Sequence, residues 1–507
     1  MIKLYDTRLR RKVDFVPLED GKVRMYVCGP TVYNRIHIGN ARTFISFDII
    51  RRYLQWRGYE VTFVQNVTDV DDKIIKRAAV EGRTAAEVAA DYTNLFIEDM
   101  HRAGVQDPDV RPKATEEIDT MIELVQKLID EGHAYEAEGD VYFAVRTYKE
   151  YGKLSGRNID EMEGGHRELR AEGLGLEDRK RDPLDFALWK AAKPGEPSWA
   201  SPWGEGRPGW HIECSAMSHK YLGLPFDIHG GGSDLVFPHH ENEIAQSEAA
   251  YGCTFANHWM HSGMLQITNA ETGEVEKMSK SLNNFLLLHE ALDIVRPEAL
   301  RMLMLQTHYR SPLVFGDQRL AEADAALTRI ETAVKNADWQ LANVEEGEAV
   351  VDAEALEAAV ARARESFATS MDDDFNAPEA LGAVFTLVGD LNTAISGRVV
   401  TEADVEVVRA ARDTVADLMG CFGINVVTEG AAEEGADYPE GVLALAVEVA
   451  GYAGTNKAEA AKALLDARAA ARKAKDWGTA DAVRDGLTAL GFKIEDTLQG
   501  ARVTYEK

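Results

Sequence analysis

Val23-Arg24-Met25-Tyr26-Val27-Cys28-Gly29-Pro30-Thr31-Val32-Tyr33, followed closely by His37-Ile38-Gly39-Asn40, decides how the first third of this chain folds. Val23–Cys28 is an apolar run that reads as a buried strand. Gly29-Pro30-Thr31 reads as a turn, and His37 opens a helical pattern that runs to about Arg57. Gly58 follows in the position that favours a left-handed cap. A strand, a glycine-containing turn and a helix N-terminus make a ready anion site, because unpaired backbone N–H groups and the helix dipole point outward there. Tyr59–Val64 reads as a second strand. Helical stretches follow at about Asp71–Glu81, Ala85–Ala103 and Thr115–Glu131. Strand, helix, strand in this order predicts an α/β fold with a Rossmann-type, doubly wound parallel sheet.

About 240 residues further on, Lys277-Met278-Ser279-Lys280-Ser281 places two lysines and two serines in a loop-like stretch that could close over phosphate oxygens. Between the two segments, an insertion over about 111–210 interrupts the sheet. From about Val141 its pattern loosens into Gly-, Pro- and Trp-rich sequence. The second half of the sheet resumes near Ile212, so a catalytic region over 1–318 is expected. Beyond Arg319 the texture becomes Ala-, Glu- and Val-rich with 3.6-residue apolar spacing, which predicts a helical bundle over 319–429. Gly430–Ala436 reads as an acidic linker. A small mixed α/β module over 440–507 follows, with helices near Val442–Gly451, Lys457–Lys475 and Thr479–Leu490. Phe492–Asp496 and Val503–Tyr505 are placed to form a terminal hairpin.

Composition narrows the class. A chain of 507 residues exceeds one core and suggests about three packed units. No apolar run approaches a membrane span, and no charged-then-apolar leader opens the sequence, so a cytoplasmic location without a membrane partner is expected. The four cysteines (Cys28, Cys214, Cys253, Cys421) are dispersed, which argues against a disulfide framework. Cys253 and Cys421 read as inert core residues. The formal net charge is −29, from 56 Lys and Arg against 85 Asp and Glu. That is unhelpful for a nucleic-acid partner in bulk, although Arg8–Lys12, Arg179-Lys180-Arg181 and Arg468…Lys475 could form local basic patches.

Seven of the thirteen histidines fall between His211 and His261, where an even spread would put one or so. Within this stretch, Pro238 suits the first turn of a helix, and His239 and Glu243 stand four apart, on one side of it. With Cys28 and with Cys214 from Trp210-His211-Ile212-Glu213-Cys214, they make a Cys/Cys/His/Glu set that suits tetrahedral Zn²⁺. The competing reading is plain packing, since buried cysteine is a common small hydrophobe and an i,i+4 His/Glu pair is usually a surface contact.

The spacing of His37–Asn40 and Lys277–Ser281 resembles the signature of class I aminoacyl-tRNA synthetases. With Met25–Tyr33, Gly209–Met217 and Asp227–Glu243, the chain resembles the cysteinyl-tRNA synthetase family over nearly its whole length. The resemblance implies ATP-dependent activation of L-cysteine and its transfer to the 3′ end of tRNA(Cys). It implies one Zn²⁺ per chain on Cys28, Cys214, His239 and Glu243, with Thr31, Thr68 and Trp210 lining the cysteine pocket. His37, Asn40, Lys277 and Lys280 correspond to catalytic and ATP-handling positions, with Mg²⁺ accompanying ATP. The Gly230-Gly231-Gly232-Ser233-Asp234 loop corresponds to the nucleoside-binding region, with Gly230, Gly231 and Asp234 as its site residues. Asparagine at position 40 is usual for this family. A monomer without an editing domain is expected.

The terminal module resembles the family's anticodon-binding domain, with Arg472, Trp477, Asp481 and Asp496 as candidate tRNA contacts. Trp477 has a second reading, as an anchor of the module's own core. After Gly500, Ala501-Arg502-Val503 departs from the Thr-Thr-Trp-like ending of the family. Three rivals are weaker. A ligase joining cysteine to an aminosugar would lack the residues after the linker. A non-catalytic RNA-binding relative would have no use for His37, Lys280 and all four proposed ligands. A methionine-specific synthetase has no reason to place Cys28 and Cys214 in its amino-acid pocket.

Overall fold

The computed structural model describes residues 1–159, 179–268, 275–277, 286–427, 438–497 and 500–505. They form two compact units: Met1–Thr328 with Glu365–Val384 and Leu418–Ile424, and Arg329–Arg364 with Phe385–Asp417 and Asn425–Lys507. The division falls within each of the four bundle helices, Asp317–Ala342, Ala353–Asp372, Ala377–Ile395 and Val405–Cys421.

The first unit is organised by four parallel strands in the order Ala256–Ser262, Phe226–Gly232, Lys22–Val27, Glu60–Val64. Val23, Met25, Tyr26 and Val27 are fully buried, as a strand covered on both faces requires. The Ile38–Trp56 helix carries the chain from Lys22–Val27 to Glu60–Val64, and the Glu241–Tyr251 helix carries it from Phe226–Gly232 to Ala256–Ser262. The two crossovers leave from neighbouring strands in opposite directions. The crevice beyond the carboxyl ends of those strands is the topological switch point, where open α/β sheets bind ligands. The expected doubly wound parallel sheet is therefore present.

His37 caps the signature helix: its Nδ1 accepts from Asn40 N at 3.2 Å. The helix buries Ile38, Ala41, Phe44, Ile45 and Phe47, and the chain leaves it through Gly58 at φ +89°. Its middle is fixed by a buried ion pair. Arg301 Nη2 donates to Asp48 Oδ2 at 2.6 Å, with both side chains almost wholly buried. The same guanidinium donates to the carbonyls of Phe422, Ala103 and Gly104.

The insertion is more regular than its composition suggests. Ala134–Ala137, Asp140–Phe143, Phe186–Ala191 and Gly206–Pro208 form a four-stranded antiparallel sheet in that order. Its strands are only three to six residues long, so period-two patterning is faint. Gly206 makes room for packing: a Cβ there would stand 2.2 Å from Nε1 of buried Trp189. A third sheet runs Val275–Lys277, Leu265–Thr268, Leu313–Phe315.

In the second unit, Asp404 accepts from the backbone N–H groups of Val350 and Val351, and Arg412 pairs with Asp338. The terminal module packs Gly441–Ala450, Lys457–Lys473, Trp477–Ala489 and the Phe492–Thr497/Gly500–Tyr505 hairpin around Val442, Ala446, Leu464, Val483, Leu487 and Phe492. The expected linker at 430–436 lies outside the described residues.

Removing one member of the Asp48–Arg301 pair strands a buried charge. Asp48→Ala is expected to cost about 3–5 kcal/mol, read as a fall in the urea unfolding midpoint.

Candidate metal centre and nucleotide site

Parallel register builds the centre. Val27 stands opposite Gly230, and Cys28 N donates to Gly230 O, so the first residue past one strand meets the end of its neighbour. Gly29 is required by close approach: a Cβ there would stand 1.7 Å from Asn66 O. Cys214 comes from the first turns of the Trp210–Leu222 helix, and Glu243 from the first turn of Glu241–Tyr251.

Cys28 Sγ lies 3.6 Å from Cys214 Sγ and 3.5 Å from Glu243 Oε1, and His239 Nε2 lies 3.0 Å from that same oxygen. Donors at tetrahedral zinc distances stand roughly 3.3–3.8 Å apart, so the spacing fits one ion. All four side chains are buried, and His239 Nε2 has no aligned hydrogen-bond partner. An orphaned imidazole nitrogen facing two thiols and a carboxylate is what a metal would satisfy. The four can hold a metal ion.

Pro238 stands in the first turn of a helix, as expected. Phe237 is extended and interrupts the helical run, and Pro238, His239 and His240 lead directly into Glu241–Tyr251. His239 reaches Glu243 one turn along the same helical run.

The histidine cluster does more than its spacing indicated. His229 Nε2 lies 2.7 Å from Glu243 Oε2, and His211 Nδ1 lies 2.9 Å from His239 Nδ1. His240 approaches Cys28 Sγ at 3.3 Å through Nε2 and His261 at 2.8 Å through Nδ1. Such partners orient a metal site's donors. Cys28, His229, His240 and Glu243 form a second convergent set sharing two members with the first. In that set His229 Nε2 is already engaged by Glu243 Oε2. The crowding of histidines in the sequence signalled this cage without giving each ring its place.

Burial dominates the electrostatics. It pushes the Cys28 and Cys214 thiols up and holds His239 and His240 well below the ordinary imidazole range. His211 and His261 are pushed down to about 3 by the same desolvation. The neutral imidazoles are ready donors. A bound divalent cation would offset desolvation and deprotonate the thiols.

Trp210 covers this centre, its ring centroid 4.2 Å from that of His239, and it remains 38% exposed. Thr31 and Thr68 pair as an isolated bridge, and Thr68 Oγ1 donates to Glu213 Oε2 at 2.6 Å. Glu213 is a buried neighbour that the motif reading left without a role; its Oε1 has no partner, and burial raises its pKa well above the usual range.

The glycines at the end of the Phe226–Gly232 strand admit close packing. A Cβ on Gly230 would stand 2.4 Å from the Phe47 ring of the signature helix, and one on Gly231 would stand 2.8 Å from the His240 ring. Asp234 follows, exposed. Lys277 ends a strand paired with Leu265–Thr268, and residues 278–285, including Lys280, lie outside the described residues. The chain resumes against the signature helix: Ile38 N donates to Leu286 O, and Leu288 N donates to Ile36 O.

In the terminal module Trp477 is 59% exposed, which removes its reading as a core anchor. Arg472 is exposed on the last turn of its helix, and Asp481 pairs with Arg484. Asp496 stands opposite Ala501 in the hairpin. Cys253 is exposed rather than in the core, because it falls just past the Gly252 helix terminus, whereas Cys421 is buried.

The model of the class I (C) tRNA synthetase catalytic domain matches residues 14–325, that of the DALR domain 366–426, and that of the cysteinyl-tRNA ligase anticodon-binding domain 457–505. A cysteine–tRNA ligase from Desulforamulus reducens is 47% identical over 504 residues, covering 99% of both chains. The chain belongs to the cysteine–tRNA ligase family. A second member, from Pelotomaculum thermopropionicum, is 47% identical over 513 residues and 99% of each chain. Among solved structures, Mycobacterium tuberculosis methionyl-tRNA synthetase with methionyl-adenylate matches at TM-score 0.55 and 16% identity, covering 79% of this chain and 89% of that one. Agrobacterium radiobacter leucyl-tRNA synthetase in its ternary complex matches at TM-score 0.56 and 12% identity, covering 81% of this chain and 85% of that one. At these identities the likeness shows a shared class I fold.

His261, with its folded-state pKa near 3, binds no proton in the folded chain where an unfolded histidine begins to bind one. Its contribution to stability is complete above about pH 6.5 and is lost as pH falls toward 3. The metal-free chain is therefore expected to lose up to about 1.4 kcal/mol per pH unit through this group. Denaturation midpoints at pH 7.5, 6 and 5 measure the slope, and His261→Gln should reduce it.

Proposed function

We propose that this chain activates L-cysteine with ATP and transfers the cysteinyl group to tRNA(Cys), with Zn²⁺ on Cys28, Cys214, His239 and Glu243 selecting the substrate thiol. One observation carries the reading: four buried metal-type donors converge at the sheet's switch point, in a chain 47% identical to a cysteine–tRNA ligase across 99% of its length.

The cysteine carboxylate attacks the α-phosphorus of ATP, a P–O bond forms, and the bond to pyrophosphate breaks. A hydroxyl of the terminal tRNA adenosine then attacks the adenylate carbonyl and AMP leaves. The protein's work is alignment and compensation of developing negative charge. His37 and Asn40 stand at a helix N-terminus, where their side chains and the positive end of the helix dipole meet phosphate oxygens. Gly230, Gly231 and Asp234 receive the nucleoside, and Mg²⁺ accompanies the phosphates. The segments flanking 278–285 support a role for Lys277 and Lys280 on the pyrophosphate side, because one ends at Lys277 and the other is bonded to Ile36 and Ile38.

Thr31, Thr68 and Trp210 enclose the amino acid. Shape alone separates near-isosteres by only ~1–3 kcal/mol, so cysteine against serine needs more than fit. A zinc ion bound here supplies an acceptor for the thiolate that a neutral hydroxyl matches poorly. His229 and His211 hold Glu243 and His239 in place.

Arg472, Trp477, Asp481 and Asp496 form the tRNA-reading surface. No helix among the described residues is long and apolar enough to cross a membrane. A cytoplasmic monomer is the setting we propose.

Cys214→Ser is expected to lower zinc affinity by more than about 100-fold, beyond the 10–100-fold typical of outer-shell changes, and to reduce cysteine-dependent ATP–pyrophosphate exchange in parallel. Unchanged exchange in a zinc-free variant would remove the metal from substrate selection. Trp477→Ala is expected to raise the KM for tRNA by about 5- to 150-fold, the equivalent of one lost stacking contact of ~1–3 kcal/mol. Pyrophosphate exchange, which needs no tRNA, should be unaltered.

A further inference from the structure

Arg42 is 1% exposed and stands two residues past Asn40 in the signature helix. It forms no ion pair with a carboxylate among the described residues. Its guanidinium is directed entirely at main-chain carbonyls: Nη1 donates to Met264 O at 2.8 Å, and Nη2 donates to Ser311 O and, at 3.4 Å, to His308 O. Burial draws its pKa down to about 10, so it remains charged at neutral pH.

Those carbonyls belong to the bases of two adjacent strands. Met264 immediately precedes Leu265–Thr268, and Ser311 stands two residues before Leu313–Phe315. Leu265–Thr268 pairs on its other side with Val275–Lys277, whose last residue opens the lysine-serine loop. The joint has little freedom. Gly263 N donates to Tyr309 O at 2.7 Å, and a Cβ on Gly263 would stand 2.4 Å from Ser311 O. Asp374 holds the opposite side, accepting from Tyr309 OH at 2.9 Å and Arg310 Nε at 2.7 Å. Thr43 adds a hydroxyl contact to Ser262 at 2.8 Å.

A buried cation without a carboxylate is a poor source of stability, and an apolar side chain of similar volume commonly does as well or better. What a forked guanidinium adds is geometry, because it sets the positions of several backbone oxygens at once. We propose that Arg42 is a positioning residue for adenylate formation, fixing where the strand that leads into the lysine-serine loop stands relative to the amides at His37–Asn40. It touches neither substrate nor ATP. The inference rests on the reaction proposed above, since it is the nucleotide that must be gripped from both sides.

The two half-reactions separate this role from plain structural support. Adenylate formation requires the triphosphate to be aligned between the helix N-terminus and the strand that ends at Lys277, whereas transfer from a preformed adenylate follows pyrophosphate release. Arg42→Met in the full-length enzyme is expected to slow single-turnover adenylate formation by about 100-fold, the scale of a 1 Å misplacement. Zinc content and the KM values for cysteine and ATP should stay within threefold of the parent, as should transfer to tRNA. Equal loss in both steps, or no loss in either, would overturn the proposal. Arg42→Lys, which keeps the charge without the fork, should show the same selective loss and decides the matter if the apolar variant does not fold. Amide exchange of Leu265–Thr268 should quicken by about tenfold in either variant. That readout requires no substrate: if the parent shows no cysteine-dependent exchange, the reaction is wrong, and unchanged amide protection would separately reject the role of Arg42.

Discussion

Everything at the centre depends on the parallel pairing of Lys22–Val27 with Phe226–Gly232, two strands about 200 residues apart in sequence. The register Val27↔Gly230 places Cys28 at the mouth of a strand whose continuation supplies His239 and Glu243. Side chains alternate across a strand, so a slip of one residue would turn Tyr26 and Val27 to opposite faces and carry Cys28 away from Cys214. Gly29 guards the register from the other side, because backbone contact with Asn66 leaves no space for any side chain.

Around that junction the protein assembles imidazoles in a dry pocket. A desolvated imidazole stays neutral, and a neutral imidazole both ligates metal and bonds to other ligands. Glu243 illustrates the economy: one oxygen faces Cys28 and His239 while the other is held by His229. A carboxylate shared in this way keeps a definite orientation, which limits how a soft ligand can enter. In the function proposed here, recognition by sulfur affinity suits a substrate that differs from serine by one atom, where packing has little to grip.

Much of this was legible from residue order. Val23–Cys28, Gly29 and the helical run from His37 announced a strand, a turn and a capped helix, because burial and capping leave strong local marks. Residue chemistry alone singled out the four donors that the structure brings together. The insertion sheet was not legible, since strands of three to six residues with Gly206 and Pro208 among them carry little alternation. The cage of His229, His240 and His261 was visible as crowding but not as contacts, which are set by tertiary packing. Trp477 was ambiguous for a like reason: helical spacing does not say which face a partner covers.

Arg42 carries no mark of its role in the sequence, since main-chain carbonyls over 200 residues away leave no trace in composition. With Arg301 it suggests why the signature helix can act as an anchor. In the function proposed here the helix meets phosphate at its N-terminus, which is useful only if its axis cannot tilt. One buried guanidinium fastens it at Arg42 and another at Asp48, six residues or about 9 Å along the axis. Both reach backbone carbonyls on other elements, at Met264 and Ser311 in one case and at Phe422 and Ala103 in the other. Two attachment points remove the rotation that one would permit. Apolar packing alone, which tolerates small sliding of a helix along its neighbours, would leave that freedom in place.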